Sequence, residues 1–339
     1  MGRSPSDLIL FVGKRLLQLV PVLIGVILLT FIVTHVIVPD PCASYLGHGA
    51  KGAALQACRI QNGFNLPLTT QFVHYASGLL SGNWGTNPAN GQPVLPAILQ
   101  AFPATLELVL ASLFLMIAIG IPLGVIAANH SGRWADHFVR IFYLSGWATP
   151  TYLGGLLVVL FVMPFFGLSN GEFSSPPTFP QPTHMSVLDA LLAGNLPATG
   201  DALVHLFFPA LALAFLNMGI ATRMTRNSML EVLPLDFVKT ARMKGLAEFW
   251  VLYKHALRNS LITTTTILGL LAGGLLSGTV IIEEIFLWPG IGQYALNSLL
   301  QFNYPGTIAV VVVFAIGVVV ANLIADVVYG LLDPRVEWR

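Results

Sequence analysis

Six runs of about 20 apolar residues punctuate this chain, and they constrain its fold more than any other feature. They cover roughly residues 16–38, 106–128, 141–166, 203–222, 261–282 and 307–331. A helix of that length crosses the ~30 Å hydrocarbon core of a bilayer, and lipid requires the backbone to satisfy its own hydrogen bonds. The 339 residues are 55% hydrophobic and only 9% charged. Soluble domains carry about 25% charged residues, so this chain lacks the charge to cover a water-facing surface. The reading is an all-α integral membrane protein with six transmembrane helices. The first run follows Lys14-Arg15 but lacks a small-residue cleavage site, and Pro39-Asp40-Pro41 follows it, so it reads as a retained helix.

Basic residues set the orientation. With the N-terminus in the cytosol, the inner segments hold fourteen of the sixteen Lys and Arg residues, and the outer ones hold only Lys51 and Arg59. Both termini are then cytoplasmic in a multi-pass protein of the cell membrane. The organisation follows: residues 1–38 form an N-terminal segment and first span, 39–101 a large external loop, and 102–339 a core with five spans. The net charge of +1 offers nothing to nucleic acid.

Cys42 and Cys58 both fall in the first external loop. In an oxidising compartment they form a disulfide, worth roughly 3 kcal/mol by a loop-entropy argument; otherwise they are two free thiols. The external loop is too long for a bare connection and has a helical pattern near 68–80. The second outer loop, 167–201, contains SSPPTFPQP and reads as irregular. In the fifth run, Gly269 and Gly273 form one GxxxG pair, and Gly274 and Gly278 a second. Such faces serve close helix packing, within the chain or against another subunit. Trp288 suits a membrane interface, Pro289-Gly290 breaks the helix, and 291–300 forms a short outer helix.

Catalytic signatures are missing. The sequence has no GxxxxGK[ST] phosphate loop, no HExxH and no GxSxG, and its eight histidines form no ligand-like pair. His205 reads as structural, and no metal or cofactor is expected on this chain. Glu107 and Asp326 are the carboxylates inside apolar runs: Glu107 reads as a hydrogen-bond anchor or a pathway residue, Asp326 as structural or interfacial. Glu283-Glu284 read as hydrated at the outer end of the fifth span. Any uphill transport must take its energy from elsewhere.

The exception to this oily composition is residues 236–259, DFVKTARMKGLAEFWVLYKHALRN, on the cytosolic side within an inner segment of about 223–260. Asp236 reads as an N-cap, 237–244 as two turns of helix, and Gly245 as its stop. A second helix over 247–258 leads into the fifth span, with Trp250, Tyr253 and Leu257 on one face by spacing. The result is a charged helix–Gly–helix knuckle. An interfacial helix on anionic lipid would explain its charge but not its glycine turn.

These residues resemble a family. TARMKGL…KHALRN looks like the coupling loop of ATP-binding-cassette importer permeases of the dipeptide/oligopeptide branch. Aligned to the general pattern Glu-Ala-Ala, three residues, Gly, nine residues, Ile-x-Leu-Pro, Gly245 is the glycine. Lys239, Thr240 and Ala241 take the first three places, and His255, Ala256, Leu257 and Arg258 the last four. Lys, His and Arg depart from that pattern but look like the peptide branch. RLLQLVPVLIGVILLTFIVTHVI (15–37), GNWGTN (82–87), PATLELVL (103–110), IPLGVIAA (121–128), FLWPGIGQ (286–293) and ADVVYGLLDPR (325–335) extend the resemblance over nearly the whole chain. It implies a permease that pairs with a second, similar permease. Two cytosolic ATPases, carrying ATP and Mg, would grip the knuckles through Lys239, Thr240, Ala241, Arg242, Lys244, Gly245, Leu246, His255, Leu257 and Arg258. An external binding protein would deliver the solute. Short peptides come first, with oligosaccharides or nickel as alternatives within the branch. A self-sufficient secondary carrier, or a membrane enzyme or scaffold, would need intramembrane charges, repeats or a catalytic cluster that the sequence scarcely offers.

Overall fold

A computed structural model describes residues 5–33, 35, 42, 52–61 and 63–332. Arg3, Lys51, Arg335 and Arg339, and the first span beyond residue 35, lie outside the described residues. The described residues are mostly helical and contain no strand, only an isolated bridge between Thr86 and Pro93. In chain order α1 is Pro5–Ile32, α2 Ala53–Gln61, α3 Leu68–Leu80, α4 Val94–Asn129, α5 Trp134–Ala148, α6 Thr151–Leu157, and α7 Ser186–Leu192. They are followed by α8 Leu196–Val232, α9 Asp236–Met243, α10 Glu248–Trp250, α11 Leu257–Phe286, α12 Ile291–Leu300 and α13 Tyr304–Leu332.

Three of these, Val94–Asn129, Leu196–Val232 and Tyr304–Val327, are long and apolar enough to cross a membrane. The number rises to five if each of two bent helix pairs counts as one span. α4 and α8 outrun the sequence expectation, beginning at Val94 and Leu196 rather than near 106 and 203. At about 1.5 Å per residue their 36 and 37 residues exceed the bilayer core, so both project beyond it or tilt. Pro103, Pro122 and Pro209 sit inside these helices, which neighbouring helices make tolerable.

α4 and α8 form the most extensive helix pair, and α11 packs on both. The central core is where the three meet: Leu108, Leu206, Leu213, Leu275, Ile282 and Phe286 are all buried there. Gly124 permits the approach of α4 to α8, because a Cβ would stand 2.6 Å from the Thr225 Cβ and 2.8 Å from the Thr222 carbonyl. α13 closes against α11, α1 packs on α13, and α3 packs on α1 through Phe72 against Phe31 and the Tyr75 hydroxyl donating to Thr30 Oγ1 at 3.0 Å.

The third apolar run, 141–166, is not one helix. α5 ends at Thr149, which is extended at ψ 123, and the chain resumes as α6 at an angle of 107°. Pro150 explains the break, since its ring pushes the preceding residue out of the helical region. The chain then runs through a π-helical stretch, Val158–Val162, and a 3₁₀ turn, Pro164–Phe166. The break between α11 and α12 falls at Pro289-Gly290, with a bend of 73°.

Candidate functional site

The knuckle is built from its turn outward. α9 ends at Gly245, which has φ +75. Its N–H donates to the Arg242 carbonyl at 2.9 Å, and the Leu246 N–H to the Ala241 carbonyl at 3.4 Å. This pair of bonds is the Schellman arrangement, and its left-handed residue favours glycine. A Cβ at Gly245 would meet nothing within 4 Å, so the backbone angle alone requires the glycine. Across the turn, Arg242 donates to Glu248 through Nη2 at 2.7 Å and Nε at 3.2 Å, a two-point ion pair that joins the arms of the knuckle.

The back of the knuckle is seated on the bundle. Val238 and Ala241 of α9 pack with Val251, Leu252, Ala256 and Leu257 against Val125 and Ala128 of α4 and Met229 of α8. Its front is open: Lys239, Thr240, Arg242, Lys244, Gly245 and Leu246 are exposed, as is Arg258, while His255 is half-buried. Around these charges Phe237, Met243, Phe249 and Trp250 also stand exposed, with Met243 at 79%. The structure thus divides the residues assigned to coupling into a presented group and a seated group, Ala241 and Leu257.

Several local expectations are corrected here. Asp236 is not the N-cap. Leu235 occupies that place, and Asp236 is the first helical residue, its carboxylate 3.0 Å from Lys239 Nζ. The second arm is not a separate helix over 247–258: α10 passes through a π-helical stretch, Val251–Ala256, directly into α11. The wider turn shifts the helical phase. Trp250, Tyr253 and Leu257 therefore do not share one environment: Trp250 is exposed, Tyr253 half-buried and Leu257 buried. Ala241, which the family resemblance places among the residues gripped by an ATPase, instead faces the bundle at 6% exposure.

A clamp that sequence reasoning missed lies beside the knuckle. Asp136, fully buried in the first turn of α5, accepts from Arg226 Nε at 2.7 Å and Nη2 at 2.9 Å. It also accepts from Arg140 Nη2 at 2.6 Å and Nε at 3.1 Å, and from the Gly132 N–H at 2.9 Å. It ties α5 to α8 on the side where the basic residues cluster. The i, i+4 spacing of Asp136 and Arg140 was legible; the pairing with Arg226, ninety residues away, was not.

The end of the bundle away from the knuckle is held by two carboxylates. Glu283 is fully buried rather than hydrated. It accepts from Thr105 Oγ1 at 2.7 Å and from the Gly292 and Gln293 N–H groups at 2.7 and 3.1 Å, and so caps α12 from the end of α11. A Cβ on Gly292 would crowd Val280 at 2.6 Å, which explains the glycine after the break. Trp288 is also buried rather than interfacial, its Nε1 donating to the Ala104 carbonyl at 2.9 Å. Glu107 accepts from Ser186 N and Oγ and from Val187 N, each at 2.9 Å, and anchors α7. His205 is buried with Nδ1 donating to the Asp201 carbonyl at 2.9 Å. Among the described residues no group of three or more His, Cys, Asp and Glu could hold a metal ion.

Of the glycine pairs, Gly269 and Gly273 face α13: a Cβ on Gly269 would overlap Ala325, and one on Gly273 would stand 3.4 Å from Asn322 Oδ1. Gly278 lies against Leu213 of α8, whereas Gly274 has nothing within 4 Å. Cys42 and Cys58 are joined in a disulfide.

Residues 120–338 match the family described as binding-protein-dependent transport system inner membrane component, and residues 8–109 match its N-terminal counterpart. The chain belongs to this permease family. Among curated relatives, it is 40% identical over 326 residues to the probable D,D-dipeptide transport system permease protein DdpB of Escherichia coli K12, covering 95% of this chain and 96% of that one. It is 38% identical to the dipeptide transport system permease protein DppB of Haemophilus influenzae, covering 96% and 99%. Identity to the oligopeptide transport system permease protein AppB of Bacillus subtilis is 32%, covering 97% and 99%. Among solved structures, a chain of the inward-facing MetNI methionine ABC transporter matches with a TM-score of 0.49 at 16% identity, covering 68% of this permease and 93% of that chain. As an inner membrane component, the permease has its knuckle and its buried Asp136 clamp at one end of the bundle and its Glu107 and Glu283 anchors at the other.

Proposed function

We propose that this permease forms half of the translocation pore of an ATP-driven importer of short peptides. It pairs with a second, homologous permease, receives solute from an external binding protein, and is driven by two cytosolic ATPases that bear the ATP and Mg. Six transmembrane helices with both termini in the cytosol complete the reading. The observation that carries the coupling role is the knuckle itself. Its back is buried on α4 and α8 while its front presents lysines, Arg242 and exposed Met and aromatic side chains. A short helix fixed at its back and capped at Gly245 moves as a rigid lever, so force on its front passes to the inner ends of both long helices. The near-full-length similarity to dipeptide and oligopeptide permeases supports the substrate class.

The test is gentle detergent purification of the chain from its native membrane, with co-purifying proteins identified by mass spectrometry, followed by reconstitution. A second permease, P-loop ATPases and ATP-dependent dipeptide uptake are expected. A chain that purifies alone and moves solute without ATP would overturn the reading.

A further inference from the structure

A cleft of about 520 Å³ opens between α1, α11 and α13, within the membrane-spanning part of the bundle. Its wall is largely apolar, with Gln18 of α1, Ser277 of α11, and Asn322 and Asp326 of α13 as its polar members. Its size lies within the range of small-molecule sites, roughly 300–1,000 Å³. We propose that this cleft is a stretch of the translocation path, and that Ser277 and Asn322 hydrogen-bond the main chain of a short peptide in transit. The proposal rests on the transport reading above.

Two features carry it. First, α11 has one face left over. One side lies on α8 through Gly278 and Leu275, and another lies on α13 through Gly269 and Gly273. Gly274 and Ser277 are exposed on the remaining face, and Gly274 has nothing near it. Second, α13 has two unlike sides. Ile316, Val320 and Ile324, four residues apart, form an exposed and wholly apolar stripe. Val318, Asn322 and Asp326, also four apart, line the cleft. At about 100° per residue the two stripes lie on opposite sides of the helix. The apolar stripe suits acyl chains. The other suits water or a solute, because polar groups inside a membrane face a bundle interior or an aqueous cavity. The Ser277 hydroxyl and the Asn322 carboxamide make no hydrogen bond among the described residues, which leaves both available to a solute.

The experiment uses the reconstituted complex in vesicles that enclose ATP and carry the binding protein and dipeptide outside, with Ser277→Cys and Asn322→Cys made separately. The unsubstituted chain is the blank, because Cys42 and Cys58 are bonded to each other. Both variants should react with a membrane-impermeant, cationic methanethiosulfonate. Saturating carried dipeptide should slow that reaction at least about fivefold. Reaction only with a lipid-partitioning pyrene maleimide would place the cleft against lipid, and reaction with neither reagent would place it under protein; either result overturns the proposal. So does aqueous labelling that peptide leaves unchanged. Uptake by the unsubstituted complex is measured in parallel. Vesicles that take up dipeptide but fail the labelling reject this cleft alone, while vesicles without ATP-dependent uptake reject the transport reading.

Discussion

Glu283 accepts hydrogen bonds from one hydroxyl and two backbone amides while fully buried, so its neighbours depend on a carboxylate at that place. A glutamine has the same shape but turns an NH₂ toward one set of donors. Unpaired buried donors cost about 1–3 kcal/mol. Glu283→Gln is therefore expected to lower the thermal unfolding midpoint in detergent, and a variant that melts with the wild type would remove Glu283 from its capping role. Glu172, in the loop that leads to α7, behaves differently. Burial, and then the charges of Glu107 and Asp189, push its pKa up to about 7. The folded state therefore holds this proton more tightly than the unfolded chain does, so stability falls as pH rises from about 4.5 to about 7 and is level above that. Glu172→Gln should flatten that part of the pH–stability profile, and an unchanged slope would show that another group carries it. Neither carboxylate announces itself in sequence. Glu283 and Glu284 look alike there, and only the fold brings Thr105 and the start of α12 to Glu283.

At the scale of the element, the knuckle separates two kinds of substitution. Ala241 is seated in the cluster with Met229 and Val251. Ala241→Phe overpacks that seat, costs about 1–3 kcal/mol, and should lower the melting midpoint as well as transport. Lys244 is exposed. Lys244→Glu should leave melting within about 0.5 kcal/mol of wild type and weaken ATPase association, read as loss of co-purifying ATPase. Equal effects on melting would dissolve the distinction between a seated back and a presented front. Gly245→Asp places a side chain at positive φ, at a local cost of about 1 kcal/mol, and puts a negative charge on the presented surface. It should lower solute moved per ATP hydrolysed while the chain still inserts; normal coupling would show that this turn is not the point of contact. The glycine stop of α9 was visible in the sequence, because left-handed backbone favours glycine. The π-helical stretch Val251–Ala256 was not, because its wider turn belongs to packing against α4 and α8 and leaves no residue signature.

For the whole molecule, the apolar runs set the class and the bias of basic residues predicts the orientation, because lipid and the membrane interface act on any sequence alike. Reporter fusions at the N- and C-termini are expected to read as cytoplasmic, and an external signal from either would reverse the orientation. The interior is less legible. The run 141–166 passes a hydropathy test as one span, yet Pro150 turns it through 107°. Prolines 103, 122 and 209 cause no such break. The difference lies in whether neighbouring helices support the interrupted ladder, a property of assembly.

The sequence by itself determined that the chain is a helical membrane protein, that its basic knuckle shares a side with most of its positive charge, and that Gly245 ends a helix. These follow from local chemistry: hydrophobic length, charge placement and backbone freedom. Only the tertiary structure decided that Ala241 faces inward, that Asp136 pairs with Arg226, that Glu283 and Trp288 are buried, and that Asn322 and Asp326 of α13 line a cleft with Ser277. Each of these depends on which distant residue stands opposite, and no local pattern encodes that.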